Sequence, residues 1–345
     1  MKIIKPSAKY IDSAKIEAEI LYDINSKNDS AQKYILNIKD SFLFTKHDME
    51  YFALVTDLCG YSLYDYIQMN DYHGYPIKYI QKIAKEIFTA LDFIHRSNLI
   101  HSDLKPENIL FSTKSKILHS IPINYDVFAK SEIASNSKST SHSSSIMHTK
   151  STDANMSKIN ANSNNNSTKH FTYYLPEYNN DIKIIDFGGA LYADMVHSNI
   201  VNTRQYRAPE DVLGCCRWNA KSDMWSVGCI LFELYCGEIL FPTHEDEEHI
   251  CLIEKEFGPF ASWMIDKSDR RIKKLFNEKS TINYSKIKHL KRINYAVKKI
   301  DDVVLKAHKE FADLLKFILI VDPNKRPDCK DVLMHNFFNI DYKED

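Results

Sequence analysis

Two separated stretches must meet in space if this chain is to do chemistry, and that requirement constrains its fold more than any other feature. In LIHSDLKPENILF, residues 99–111, Asp103, Lys105 and Asn108 lie in a loop after a helical run, and Ile109, Leu110 and Phe111 begin a strand. One carboxylate accepts a proton, one ammonium neutralises an anion, and one carboxamide oxygen holds a hard cation. A polar turn accounts for the same residue types taken alone. Farther on, IKIIDFGGA, residues 182–190, is an apolar strand that delivers Asp186 at its end, followed by a Gly-Gly pair that permits unusual backbone angles. Asp186 beside Asn108 completes a divalent-cation site for a phosphate-bearing ligand. Nucleotide-dependent phosphoryl transfer needs a base, a phosphate-neutralising cation and metal ligands from separate segments, and the two stretches supply them in order.

The rest of the chain divides by hydrophobic pattern. KYIDSAKIEAEILYDI (9–24) sets Ile16, Ile20 and Ile24 at i, i+4, i+8, which predicts a helix with one apolar face. The runs YILNIKDSFLFT and YFALVTDL, separated by the polar KHDME, predict an antiparallel strand pair. Past Gly60 the pattern turns helical, in SLYDYIQMN and in the Pro-preceded IKYIQKIAKEIFTALDFIHRSN. Between about 120 and 178, SNSKSTSHSSS and NANSNNNSTK carry almost no large apolar side chains, which predicts a disordered insertion that cannot offset its ordering entropy. From Ser222 the helical pattern returns in SDMWSVGCILFELYCG, EFADLLKFILIVDP and CKDVLMHNFF. The expectation is an α+β chain of two lobes, a small mixed one at 1–58 and a large helical one at 59–345.

Composition narrows the partners. Lys and Arg total 45 against 46 Asp and Glu, a formal charge of −1, so nothing points to direct nucleic-acid or anionic-membrane binding. The basic stretch at 267–299 reads as the solvated face of an inserted helical region, with an acidic partner as the alternative. The seven cysteines are odd in number and form no C-x-x-C pair, which suits reduced, intracellular thiols. FILIV (317–321) is too short to span a membrane, and VGCILFELYCG (227–237) carries Glu233. The N-x-[ST] matches at Asn165 and Asn166 lie where Asn and Ser are common, so chance explains them.

A third stretch, VNTRQYRAPE (201–210), follows the other two. With H-S-D-L-K-P-E-N, then D-F-G, then A-P-E, the chain resembles the eukaryotic protein kinases over nearly its whole length. The resemblance implies the bilobal α+β kinase fold, with ATP and Mg²⁺ as cofactors. It implies Asp103 as catalytic base, Lys105 as stabiliser of the transferred phosphate, and Asn108 and Asp186 as magnesium ligands. By the same resemblance Lys2 grips the nucleotide phosphates with Glu17 as its ion-pair partner, and Thr56 is the gatekeeper. The backbone of Asp57 and Cys59 faces adenine, and Leu110 lines the nucleotide site. Lys105 is the Ser/Thr-kinase choice, Thr203 bonds within the catalytic loop, Asp223 braces that loop, and Arg326 pairs with Glu210.

Arg207, directly before A-P-E, is similar to the group that holds the cyclin-dependent, MAP and CDC-like kinases. EHICLIEKEFG (248–258) resembles the LAMMER signature of the CDC-like kinases at Glu248, His249, Glu254 and Gly258; read alone it is an amphipathic helix. That branch implies dual specificity, protein substrates such as arginine-serine-rich splicing factors, a monomer, and a nuclear or cytoplasmic location. Ser102 stands where many kinases carry an arginine that pairs with an activation-loop phosphate, so activity independent of that phosphate is expected. No G-x-G-x-x-G precedes Lys2. The expectation is a truncated amino-terminal lobe, whose phosphate-covering loop is either encoded upstream of Met1 or lost, and the competing reading is a nucleotide-poor pseudokinase scaffold.

Overall fold

The computed structural model describes residues 1–122, 170–195 and 202–342. The amino-terminal part is a three-stranded antiparallel sheet and one long helix. Strand β1 (Lys2–Ile3) pairs with β3 (Met49–Thr56), which pairs with β2 (Ile38–Lys46), in the order β1-β3-β2. Lys2 lies opposite Leu54, and Phe42 opposite Ala53. The hairpin closes on His47 and Asp48, both at positive φ (50° and 55°), as a two-residue turn that matches the twist of its strands requires.

Helix α1 (Ala8–Ser26) buries Ile11, Ala14, Glu17, Ala18, Ile20, Leu21 and Ile24. The predicted apolar face is thus partly wrong, because Ile16 is exposed. The buried arc runs from Ile20 through Leu21 to Ala18, and this rotation turns Glu17 inward toward Lys2.

The larger part is helical. Helix α2 (Leu63–Met69) starts with a capping box, in which Ser62 Oγ accepts from the Asp65 amide and Asp65 accepts from the Ser62 amide. Such a cap contributes about 1 kcal/mol. Helix α3 (Ile77–Arg96) follows Pro76 and buries Ile80, Ile83, Ile87, Leu91 and Ile94 along one side. Helix α4 (Pro209–Leu213) opens on the proline of A-P-E, and α5 (Ala220–Cys236) is buried over most of its length. Gly228 lets α5 approach the segment after helix α7 (Lys309–Ile318), since a Cβ there would stand 2.6 Å from Leu319. Helix α6 (Asp246–Phe257) spans the LAMMER-like stretch. It is buried at every residue from Glu248 to Ile253, so it is a core helix and not the amphipathic one its own residues suggest. The stretch 262–303, short helices and the turns between them, buries Ile272, Ile282, Ile287 and Ile293 beneath exposed Lys and Arg, which fits the solvated-face expectation. No described helix is long and apolar enough to cross a membrane.

Six further short strands occur among the described residues: β4 (Leu99–Ile100), β5 (Ile109–Phe111), β6 (Ile117–Pro122), β7 (His170–Leu175), β8 (Ile182–Ile184) and β9 (Leu191–Tyr192). Strand β5 pairs with β8, setting Ile109 opposite Ile184, and β4 pairs with β9, setting Leu99 opposite Tyr192. Strands β6 and β7 pair as a ribbon belonging largely to a second compact unit, Leu118–Tyr173. The expected disordered insertion is therefore too wide at its flanks. FTYYL has the alternating aromatic pattern of a strand, with Tyr173 and Leu175 buried. The Ser/Asn-rich remainder of that expectation lies outside the described residues.

Candidate active site

Two strand pairs hold the chemistry together. Because β4 pairs with β9 and β5 with β8, the loops at 101–108 and 185–190 are clamped at both ends. The Ile185 amide donates to Asn108 O at 3.0 Å, which places Asp186 next to the Asn108 backbone. Asp186 adopts a left-handed conformation (φ 64°), and Phe187 behind it is buried against the His101 ring, 5.0 Å between centroids.

Asp103 is the hub of the first loop. Lys105 Nζ stands 2.7 Å from Asp103 Oδ2 and 3.2 Å from Thr203 Oγ1. Thr203 donates its hydroxyl (2.8 Å) and its amide (3.1 Å) to Asp103 Oδ1. Asn108 Nδ2 donates to Asp103 O at 2.9 Å. Three of the residues expected to work together, Asp103, Lys105 and Asn108, are thus in mutual contact, and Thr203 reaches them across 100 positions of sequence.

The loop is braced from below by Asp223. Its carboxylate is fully buried and accepts from the amides of His101 and Ser102, each at 2.9 Å, and from the His95 ring at 2.9 Å. Burial alone would raise this carboxyl, but His95, then the charge of His101 and its amide, hold it below the usual carboxylate range. Ser102 sits at φ 66°, and its hydroxyl donates to Gly189 O at 2.6 Å, tying the loop to the segment after D-F-G. Sequence reasoning missed this tie and the part played by His95; neither residue type signals it, since both act through partners far along the chain.

Lys2 Nζ lies 3.1 Å from Glu17 Oε2 and 4.0 Å from Asp186 Oδ1. Burial pushes the Glu17 carboxyl up, against the pull of Lys2. The residues expected at the adenine side stand at the end of β3 and just after it. Thr56 donates to Asp57 O at 3.2 Å, the Asp57 amide donates to Asn37 O, and Lys39 beside it holds the Asp57 carboxyl below its ordinary value. Cys59 is half-buried, and the Gly60 amide donates to Phe111 O at 2.7 Å. Leu110 lies on β5 opposite Lys183 and bridges to Ser62.

Asp186 and Asn108 offer one carboxylate and one amide oxygen. Asn108 spends its Nδ2 on Asp103, which leaves Oδ1 for a cation. No group of three or more His, Cys, Asp or Glu that could hold a metal occurs among the described residues. Two hard oxygen donors without a complete cage suit an ion such as Mg²⁺ that arrives with phosphate oxygens.

The segment leading into A-P-E is anchored on α6. Asp246 receives Arg204 and Arg271 as ion-pair partners, with Arg207 at 3.9 Å; Arg207 also donates to Asn202 O at 3.0 Å. Of the LAMMER-like residues, Glu248 and His249 are buried and Glu254 and Gly258 half-buried: burial holds His249 near pKa 3, and Glu254 accepts from Tyr284 OH at 2.7 Å. Gly258 (φ 87°, ψ −171°) caps the helix in a conformation open to glycine alone. Tyr206 donates to Glu233 at 2.6 Å, and burial pushes the Glu233 carboxyl up to about 7. A carboxyl raised above its unfolded value of 4.5 holds its proton in the fold, so it lowers stability as pH rises through that window. Glu233→Gln should therefore flatten the fall in unfolding free energy between about pH 4.5 and 7, measured by denaturant titration; an unchanged slope would contradict it.

The family model described as Protein kinase domain matches residues 1–166 and 174–338. Dual specificity protein kinase lkh1 of Schizosaccharomyces pombe is 32% identical over 98% of this chain and 42% of its own length. The probable serine/threonine-protein kinase clkA of Dictyostelium discoideum is 34% identical over 98% of this chain and 32% of its own. Serine/threonine-protein kinase AFC3 of Arabidopsis thaliana is 30% identical over 98% of this chain and 74% of its own. This chain thus spans less than half the length of the first two. A solved kinase-domain crystal structure superposes with a TM-score of 0.77 at 30% identity, covering 98% of this chain and 86% of that one. The chain therefore belongs to the protein kinase family, in its CDC-like, LAMMER-type branch.

Proposed function

We propose that this chain transfers the γ-phosphate of ATP to serine and threonine hydroxyls of proteins, and to tyrosine in autophosphorylation. The observation that carries the reading is the Asp103 cluster, in which a carboxylate, the Lys105 ammonium 2.7 Å away and the Thr203 hydroxyl converge at the mouth of one loop. Asp103 accepts the proton of the attacking hydroxyl, and Lys105 neutralises charge on the transferred group. Asn108 and Asp186 would hold magnesium, which supplies charge neutralisation on the phosphate oxygens when bound. Lys2, oriented by Glu17, grips the nucleotide phosphates. Asp57 and Cys59 offer backbone groups to adenine, and Leu110 forms the floor of its site. Thr203 and Arg207 shape the substrate side. Residues 1–58 and 59–345 serve as the two lobes around this cleft. The assembled catalytic loop and the kinase relatives favour the enzyme over a nucleotide-poor scaffold.

The CDC-like branch supports arginine-serine-rich splicing factors as substrates, a monomeric state and nuclear work. A radiolabelled-ATP assay of the purified chain with an arginine-serine-rich peptide and a neutral serine peptide tests this. Label should enter the first peptide preferentially and stop on adding excess chelator; no transfer above blank to either peptide sinks the enzyme reading. Because Ser102 spends its hydroxyl on Gly189 and offers no guanidinium to a phosphate, phosphatase treatment should leave the rate unchanged. A large loss after dephosphorylation would overturn that expectation.

A further inference from the structure

Helix α1 carries Glu17, and the segment that begins at Asp186 touches this helix twice. At the first point a Cβ on Gly188 would stand 3.5 Å from Asp186 Oδ1 and 3.8 Å from Glu17 Oε2, so the Glu17 carboxylate lies beside the glycine of D-F-G. At the second point the Tyr192 hydroxyl donates to Asp23 Oδ2 at 2.8 Å. Lys27, one turn farther along α1, approaches the same oxygen at 2.9 Å. Tyr192 is itself held from the other side: it lies opposite Leu99 of β4, and the Ala193 amide donates to Asn98 O at 2.8 Å.

We propose that Tyr192 is a positioning residue for nucleotide binding, which through Asp23 fixes the rotation of α1 and so keeps Glu17 turned toward Lys2. The role presupposes that Lys2 and Glu17 hold the phosphates of ATP.

Glu17 and Asp23 are six residues apart, which on an α-helix is about 9 Å along the axis and about 120° around it. A single contact leaves a helix free to turn about its own axis, whereas two at different heights and on different sides do not. The Lys2 end cannot supply that constraint, because Lys2 lies on a two-residue strand and its side chain is 56% exposed. Burial also works against the Glu17 charge, which therefore depends on Lys2 staying within reach. At the other end, Lys27 first and then the Tyr192 hydroxyl hold the Asp23 carboxyl below its ordinary value. Burial and then the bond to Asp23 push the Tyr192 phenol up to about 12. At neutral pH a charged acceptor thus faces a protonated donor, the stronger kind of hydrogen bond.

Tyr192→Phe removes the hydroxyl and keeps the ring. Amide hydrogen exchange of the unliganded variant should quicken roughly threefold or more in the α1 peptide that holds Glu17. The dissociation constant of a non-hydrolysable ATP analogue should rise roughly three- to tenfold. In a Lys2→Ala background the same substitution should leave that constant nearly unaltered, because no ammonium remains for Glu17 to orient. Asp23→Asn, which keeps an acceptor, should weaken analogue binding less than Asp23→Ala. A tyrosine that only packs would weaken binding equally with and without Lys2. That equal loss, unchanged exchange in α1, or failure of the unaltered chain to bind the analogue would overturn the proposal. Analogue binding without any phosphotransfer would sink the enzyme reading alone and leave Tyr192 in its role.

Discussion

Asp103→Asn is expected to lower the phosphotransfer rate by roughly two to four orders of magnitude, with nucleotide binding and thermal stability unchanged. The separation of effects follows from the contacts. An asparagine oxygen still accepts from the Thr203 hydroxyl and amide, so the loop keeps its shape. What it loses is basicity toward the substrate hydroxyl and the charge that holds Lys105 at 2.7 Å. Single-turnover phosphotransfer with saturating ATP measures the loss directly, and differential scanning calorimetry checks the fold. A variant keeping more than about a tenth of the rate would remove Asp103 from the role of base, since positioned proton transfer contributes at least about a hundredfold.

Arg326→Ala should destabilise the chain by about 3–5 kcal/mol, a large share of the stability of an ordinary domain. The guanidinium is completely buried and makes a two-pronged bridge to Glu210, both bonds at 2.9 Å. It also donates to the carbonyls of Ile320, Lys221 and Val321, and stacks 5.2 Å from the Trp225 ring. Removing it strands the Glu210 carboxylate in the core. The midpoint of thermal unfolding should fall by roughly ten degrees. Lysine should not rescue it, because an ammonium cannot reproduce the planar fork. The pair Glu210→Gln with Arg326→Met should recover part of the loss, because no uncompensated charge remains. A fall of under about 1 kcal/mol in Arg326→Ala, the range of an exposed ion pair, would mean that the bridge is not a buried one in solution.

Much of this site was legible in the chain itself, and for an identifiable reason. Asp103, Lys105 and Asn108 are close in sequence, so their contact needs only one loop. Asp186, weakly signalled by D-F-G alone, was legible because that strand end follows the Asp103 loop in order. The anchors that cross long stretches were less accessible. The resemblance gave the pairs Lys2 with Glu17 and Arg326 with Glu210, and the structure brings each pair into contact. Nothing in the sequence indicated that His95 would reach Asp223, that Ser102 would bond Gly189, or that Asp246 would gather Arg204 and Arg271. Periodicity also misjudged two helices. Ile16 is exposed although it falls in the i, i+4, i+8 series, and α6 is buried over six consecutive residues.

By itself, then, the sequence determined the kind of most elements, their order and the candidate site residues, because those depend on local propensity, apolar spacing and the chemistry of single side chains. The tertiary structure alone decided which face of α1 turns inward, that FTYYL is a paired strand, and which distant residues hold the catalytic loop. These outcomes depend on how neighbouring surfaces fit and on where buried polar groups find partners. Both are properties of several segments at once, and no window along the chain contains them.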